Sequence, residues 1–173
     1  GTDRVLPDGT AYSTTDPQTR LYRDTIGGDT GTLADWAMRN WATDFQTGPG
    51  MENNARTLTR VSTDETPGDA DSVALTPYWN PKNNPMTWQG VTQYTIGFGN
   101  AAVNWIGGPA WDNATDNNYG GGYPNLVNGT VEWLDLFNPS FEAALANRPI
   151  QEGRRPSDLW HAALNGRGSF IPA

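Results

Sequence analysis

The chain holds a single histidine and no cysteine, so nucleophilic and metal chemistry can draw on very few side chains. His161 lies four residues after Ser157 and three after Asp158, which gathers a hydroxyl, an acid and a base. A hydrolytic triad needs the hydroxyl on one imidazole nitrogen and the carboxylate on the other. Neighbouring positions on one helix do not approach both edges of the ring, so His161 reads as a helix-surface or core-rim imidazole. The absence of cysteine removes disulfides, thiolate zinc sites and cysteine nucleophiles together. One histidine also excludes multi-histidine metal centres. A metal held by this chain would take oxygen ligands, which means calcium or magnesium first.

Two segments carry such oxygens. DETPGDAD supplies Asp64, Glu65, Asp69 and Asp71, and DNATDNN supplies Asp112 and Asp116 among three asparagines. Neither matches the calcium loop of an EF-hand, which needs acids at positions 1, 3 and 5, a glycine at 6 and a glutamate at 12. Both read first as solvated loops, with Asp64, Asp69, Asp71, Asp112 and Asp116 as the oxygen-ligand candidates. A third set is aromatic. Trp105, Trp111, Tyr119, Tyr123 and Trp133 lie among Asn and Asp in a glycine-rich stretch, a combination that suits sugar rings and hydroxyls or, more simply, fills an interior. Glycoside hydrolysis would add a facing pair of carboxylates, for which Glu132 with Asp135 or Glu142 are the nearby candidates. The sequons at Asn113 and Asn128 match by composition alone.

Charge narrows the ligand classes. With 11 Lys and Arg against 19 Asp and Glu, the net charge of -8 repels phosphate backbones and anionic lipid, so neither nucleic acid nor a membrane surface is an expected partner. No run is long and apolar enough to span a bilayer, and residues 1–10 lack the basic and apolar blocks of a signal peptide, so no targeting segment is expected within this chain.

The elements that would position these groups are sparse. A length of 173 residues predicts one domain, and 20 Gly with 13 Pro predicts long loops around it. Residues 1–31 read as an irregular arm, broken by Pro7, Pro17, Gly27 and Gly28. LADWAMRNWATDF predicts a helix over 33–46, with Leu33, Trp36, Ala37, Trp41 and Phe45 on one stripe, Thr32 as its cap and Gly48-Pro49 as its stop. Residues 48–89 show no periodicity and read as an insertion. VTQYTIGFG, 91–99, alternates as a strand, with Tyr94, Ile96 and Phe98 on one face and Val91, Gln93 and Thr95 on the other. Apolar or β-branched residues on both faces suit a strand covered on both sides. Residues 100–130 turn repeatedly, 131–137 fit either a strand or a helical turn, and FEAALAN after Pro139 reads as a short helix. DLWHAALN predicts a final helix, with Ser157 as its cap and Gly166 closing it at positive φ, and Ser169–Ile171 reads as extended. One firm strand and one possible one, against two or three helices, are too few for a sheet-based domain, so the chain reads as part of a fold whose central strands lie elsewhere.

Three blocks carry a family resemblance. TWQGVTQYTIGFG (87–99), SDLWHAALNGRGSFIPA (157–173) and TLADWAMRNWATDF (32–45) resemble, in family order, blocks of the PilC/PilY family of type IV pilus tip adhesins and biogenesis factors. The resemblance covers about 45 residues, counted along those blocks. It implies the late part of a von Willebrand factor A-like domain, a doubly wound α/β fold followed in the family by a β-propeller. Tyr94–Gly99 would then be a late parallel strand, Leu33–Phe45 the helix before it, Asp158–Asn165 the helix after it and the segment at Phe170 the terminal strand. Residues 48–89 and 100–155 would be elaborations of that frame.

The family's Asp-x-Ser-x-Ser and Thr-Asp-Gly motifs do not occur here, so no metal ligand is carried over. Calcium or magnesium is implied for the full-length family protein, with no cofactor assigned to this chain. Where relatives tend to carry Trp-Gln-His-Met, this sequence has Trp88-Gln89-Gly90-Val91. In an open α/β sheet the ligand site lies at the carboxyl ends of the strands, where only Gly97, Phe98 and Gly99 of this chain would arrive. The implied function is non-enzymatic adhesion and pilus assembly at a bacterial surface or pilus tip, or in association with the periplasm or outer membrane. The implied partners are minor pilin subunits, host or abiotic surfaces and the remainder of the same polypeptide. The rival readings are a secreted carbohydrate-binding or hydrolytic module and a structural filament subunit.

Overall fold

The segment read as an irregular arm forms two ordered turns. In the computed structural model, which describes residues 3–23, 31–49, 75–81, 83–99, 133 and 158–173, β1 (Arg4–Val5) pairs antiparallel with β2 (Ala11–Tyr12). The intervening Pro7-Asp8-Gly9 turn explains the hairpin. Gly9 sits at φ 89°, Asp8 Oδ1 accepts from Thr10 N at 2.9 Å, and Leu6 N donates to Thr10 O at 2.8 Å. A 3-10 helix follows at Pro17–Tyr22, where Asp16 caps Gln18 N at 2.9 Å and proline occupies the first turn. Leu6, Tyr12, Leu21 and Tyr22 of this arm are buried while Val5 is exposed, so one side of the arm belongs to the core.

Helix α1 spans Leu33–Trp41, with Thr32 Oγ1 accepting from Asp35 N at 3.1 Å as the cap. It stops well before the predicted end. Thr43 Oγ1 donates back to Arg39 O at 2.7 Å, Asp44 folds onto Gln46 N at 2.9 Å, and Phe45 N pairs with Gln89 O at 2.9 Å. The backbone that would have continued the helix is therefore engaged elsewhere. The buried stripe is Ala34, Ala37, Met38 and Trp41, while Leu33, Trp36 and Phe45 are exposed. Two alanines in place of Leu33 and Trp36 let the helix axis approach the core closely.

Strand β3 (Gln93–Gly97) pairs parallel with β4 (Arg167–Pro172), and helix α2 (158–165) lies between them in sequence. The helix and strand content is that of an α/β chain. Thr95 and Phe170 are register partners on the buried face, and Thr95 Oγ1 donates to Leu159 O on α2 at 2.7 Å. Asn165 Nδ2 donates to Ala34 O at 3.0 Å, which joins α2 to α1. The register shifts between Gln93 and Thr95, and Gly168 is the reason it can. A Cβ at residue 168 would lie 2.7 Å from the Gln93 carbonyl carbon and closer still to its oxygen.

The end of α2 departs from the expected cap. Gly166 is not at positive φ; Arg167 is, at 55°. Gly166 is instead needed for close approach, since a Cβ there would stand 2.6 Å from Gln93 Cβ and 2.9 Å from Gln93 N. The same Gln93 N donates to Gly166 O at 3.1 Å, so the two backbones touch directly.

Beyond the arm and helices, the core takes Trp79, Met86 and Trp88 from the stretch after residue 74 and Trp133 from the stretch after residue 100. Among the described residues no helix is long and apolar enough to cross a membrane.

Candidate functional site

The most unusual chemistry in the described core is a buried guanidinium in an aromatic box. Arg167 lies 4.3 Å from the Tyr22 ring centroid, 4.8 Å from Trp41 and 5.5 Å from Trp79, and is only 5% exposed. Burying a cation is costly, and aromatic faces offset part of that cost, by about 2 kcal/mol for a desolvated contact. Hydrogen bonds supply more. Arg167 Nη1 donates to the Tyr22 hydroxyl at 2.6 Å and to the Asn80 carbonyl at 3.3 Å. The Tyr22 hydroxyl in turn donates to the Trp79 carbonyl. Four segments thus meet at one side chain: the 3-10 helix, α1, the 75–81 loop and β4.

Burial pushes the Tyr22 phenol up to about 12, with the nearby Arg167 charge pulling the other way. The phenol therefore stays protonated near neutral pH and can both accept and donate. A guanidinium keeps its charge in proteins. Neither group exchanges protons near neutrality, so the pair acts as a clamp. Tyr12, which meets Trp79 edge-on at 6.2 Å, is likewise raised to about 12 by burial. Tyr78 also meets Trp79 edge-on, at 5.0 Å, and its phenol is raised by burial and by its hydrogen bond to Asp8.

A second cluster surrounds Trp133. Its ring stacks on His161 at 4.1 Å with an interplanar angle of 6°, and meets Trp160 edge-on at 4.8 Å. Its Nε1 donates to Leu21 O at 2.8 Å. Trp133 is an interior residue, and His161, on α2, is buried beside it. The other members of the aromatic set, Trp105, Trp111, Tyr119 and Tyr123, lie outside the described residues, as do Asp64, Glu65, Asp69, Asp71, Asp112, Asp116, Glu132, Asp135, Glu142 and Ser157. The 131–137 segment and the short helix after Pro139 lie outside them too, Trp133 excepted.

A third cluster explains the Gly90 departure. Trp88 Nε1 donates to Trp41 O at 2.7 Å, Trp41 Nε1 donates to Asn84 Oδ1 at 3.1 Å, and the two indoles meet edge-on at 5.1 Å. A Cβ at residue 90 would lie 2.6 Å from that same Trp41 oxygen and 2.6 Å from Met86 Sδ. The sulfur can move, but the backbone oxygen is held by Trp88. A histidine at this position would require a different packing of the Trp41–Trp88 pair.

Sequence reasoning singled out Trp133 as a ligand-surface candidate and His161 as a helix-surface or core-rim imidazole, whereas both are buried, Trp133 taking the interior alternative, and it missed Arg167, Tyr22 and Trp79. Arg167 lies between two glycines at a helix end, where a basic residue reads as solvated turn. Its signal was the box itself, which comes from segments scattered along the chain.

No protein-family model matches the chain, and no solved structure matches it. Curated relatives do, across nearly its whole length. It is 35% identical over 172 residues to a protein of Pseudomonas aeruginosa strain PAK named type IV pilus biogenesis factor PilY1, covering 99% of this chain and 12% of that protein. The proteins of the same name from strains PAO1 and UCBPP-PA14 are 36% and 30% identical over 172 residues, again covering 99% of this chain and 12% of theirs. The chain is a partial PilY1-family region. The match extends far beyond the three blocks that carried the resemblance, through the arm that supplies Tyr22 and the stretches that supply Trp79 and Trp133. This PilY1-family region spans about an eighth of the relatives' length, the 12% of the match.

Proposed function

We propose that this region serves in type IV pilus biogenesis and surface attachment, as a non-enzymatic part of a longer exported protein at the bacterial surface or pilus tip. The observation that carries the reading is the match over 99% of the chain to proteins named type IV pilus biogenesis factors. The described chemistry agrees with a scaffold role: its buried polar groups are spent on holding segments together. The fold proposed is the late part of a von Willebrand factor A-like domain. A parallel β3–β4 pair with α2 between its strands supports it, as does the arrival of Gly97–Gly99 at the carboxyl end of β3. The rest of the polypeptide would supply the missing strands, and minor pilins and host or abiotic surfaces are the proposed partners. Calcium or magnesium would belong to the full-length protein, and no residue of this chain is assigned to it.

A chimera tests the role. The aligned region of the strain PAK relative is replaced by this chain, and surface pili are counted in cells lacking their own copy. Restored pili are expected, with a glycine-serine linker in the same position giving none. A chimera exported at the normal level that leaves surface pili at the linker's level would refute the reading.

A further inference from the structure

The β3–β4 pair is finished on one face only. Thr95 and Phe170 point inward against α2 and the core, while Tyr94, Ile96, Phe98 and Ile171 point outward, at 64%, 50%, 78% and 48% exposure. Ile96 and Ile171 are register partners, so the exposed apolar side chains of the two strands lie side by side on this face, with Phe98 just past the end of β3. Parallel pairs occur almost only in sheets covered on both faces, because crossover helices pack on each side. Here α2, the crossover between β3 and β4, covers the inner face and has no second face to give.

We propose that the Tyr94–Ile96–Phe98–Ile171 surface is the seat of an amphipathic helix from the polypeptide that flanks this region. Three observations select that occupant. The relatives continue far beyond the matched region, which is 12% of their length, so covering chain is at hand. The surface is aromatic and aliphatic with no charge, as suits the apolar stripe of a helix. A second copy is disfavoured, since each carries a net charge of -8 and association would bring two such charges together. The inference rests on the parallel pair and on the length of the relatives, and stands or falls apart from the pilus role.

The test uses the full natural polypeptide that contains these residues. The photoreactive residue p-benzoylphenylalanine is placed at position 94, and separately at 98, and the cross-linked peptides are mapped. Cross-links to residues outside 1–173 of the same molecule are expected. In the same polypeptide Ile96→Cys and Ile171→Cys should be alkylated at least about tenfold more slowly than Val5→Cys, whose site is 72% exposed. Cross-links within residues 1–173, cross-links between isotopically distinguished copies, or alkylation of both cysteines as fast as at position 5 would each overturn the proposal.

Discussion

Arg167 and Tyr22 stand 145 residues apart in sequence and 2.6 Å apart in space, joined by a hydrogen bond from guanidinium to phenol. The bond ties the N-terminal arm to the final strand. Removing the hydroxyl with Tyr22→Phe leaves the Trp79 carbonyl without that donor and Arg167 without that acceptor, a loss expected at about 1–3 kcal/mol. Arg167→Lys keeps the charge but gives up the planar stacking on three rings. Urea unfolding of both single variants and the double variant should return a coupling of about 0.5–3 kcal/mol. Strict additivity would mean that the two side chains do not act as a unit.

Of the three glycines that admit a close approach, Gly90, Gly166 and Gly168, two press on a backbone carbonyl oxygen. Gly168→Ala would drive a methyl into the Gln93 carbonyl, and Gly90→Ala into the Trp41 carbonyl. Each is expected to cost about 1–3 kcal/mol by overpacking. Gly9→Ala meets nothing within 4 Å and suffers only the strain of its φ of 89°, so it should cost less than Gly168→Ala. Denaturant midpoints read the order.

Two tryptophans differ in what they hold. Trp133→Phe removes the donor to the Leu21 carbonyl inside the core and is expected to destabilise by about 1–3 kcal/mol. Trp36, half exposed with Arg39 over its ring at 5.3 Å, should lose no more than about 1 kcal/mol on substitution by Ala. Equal losses for the two would contradict the interior placement of Trp133.

Stability should fall at both ends of the pH scale. Tyr12 and Tyr22 are raised from 10.0 to about 12, so the folded state holds protons that the unfolded state releases. Their contribution is complete below pH 10 and disappears as pH climbs from 10 to about 12. Asp3 behaves oppositely, lowered from 3.8 by the Thr14 backbone amide and then its hydroxyl, so its contribution is present above 3.8 and lost as pH drops below it. Ultraviolet titration of folded chain should show late-ionising phenols, one fewer in Tyr22→Phe. Phenols that all ionise as in denaturant would contradict the burial.

The parts of this fold legible in the sequence are those whose signals are local. The period-2 alternation of Tyr94, Ile96 and Phe98 against Gln93 and Thr95 located β3, and Thr32 marked the start of α1. The arm was misread because Pro7, taken as a breaker, belongs to the turn of a hairpin that Gly9 completes at positive φ, and Pro17, also taken as a breaker, opens a 3-10 helix. The end of α1 was misplaced because Phe45 fits the stripe by spacing, whereas its amide pairs with Gln89, a contact no local pattern encodes. The helix-closing residue was given to Gly166 by propensity. Its lack of a Cβ is used instead to admit Gln93, and the box around Arg167 holds the positive φ.

The parallel pairing of β3 with β4 underlies the family's implied fold, the carboxyl-end rim and the uncovered apolar face. Nuclear Overhauser contacts between residues 93–97 and 167–172 measure it directly. Amide-to-α-proton contacts in the register Thr95 with Phe170 and Ile96 with Ile171 are the expected result. Close α-proton to α-proton contacts across the pair, the mark of antiparallel strands, would contradict it.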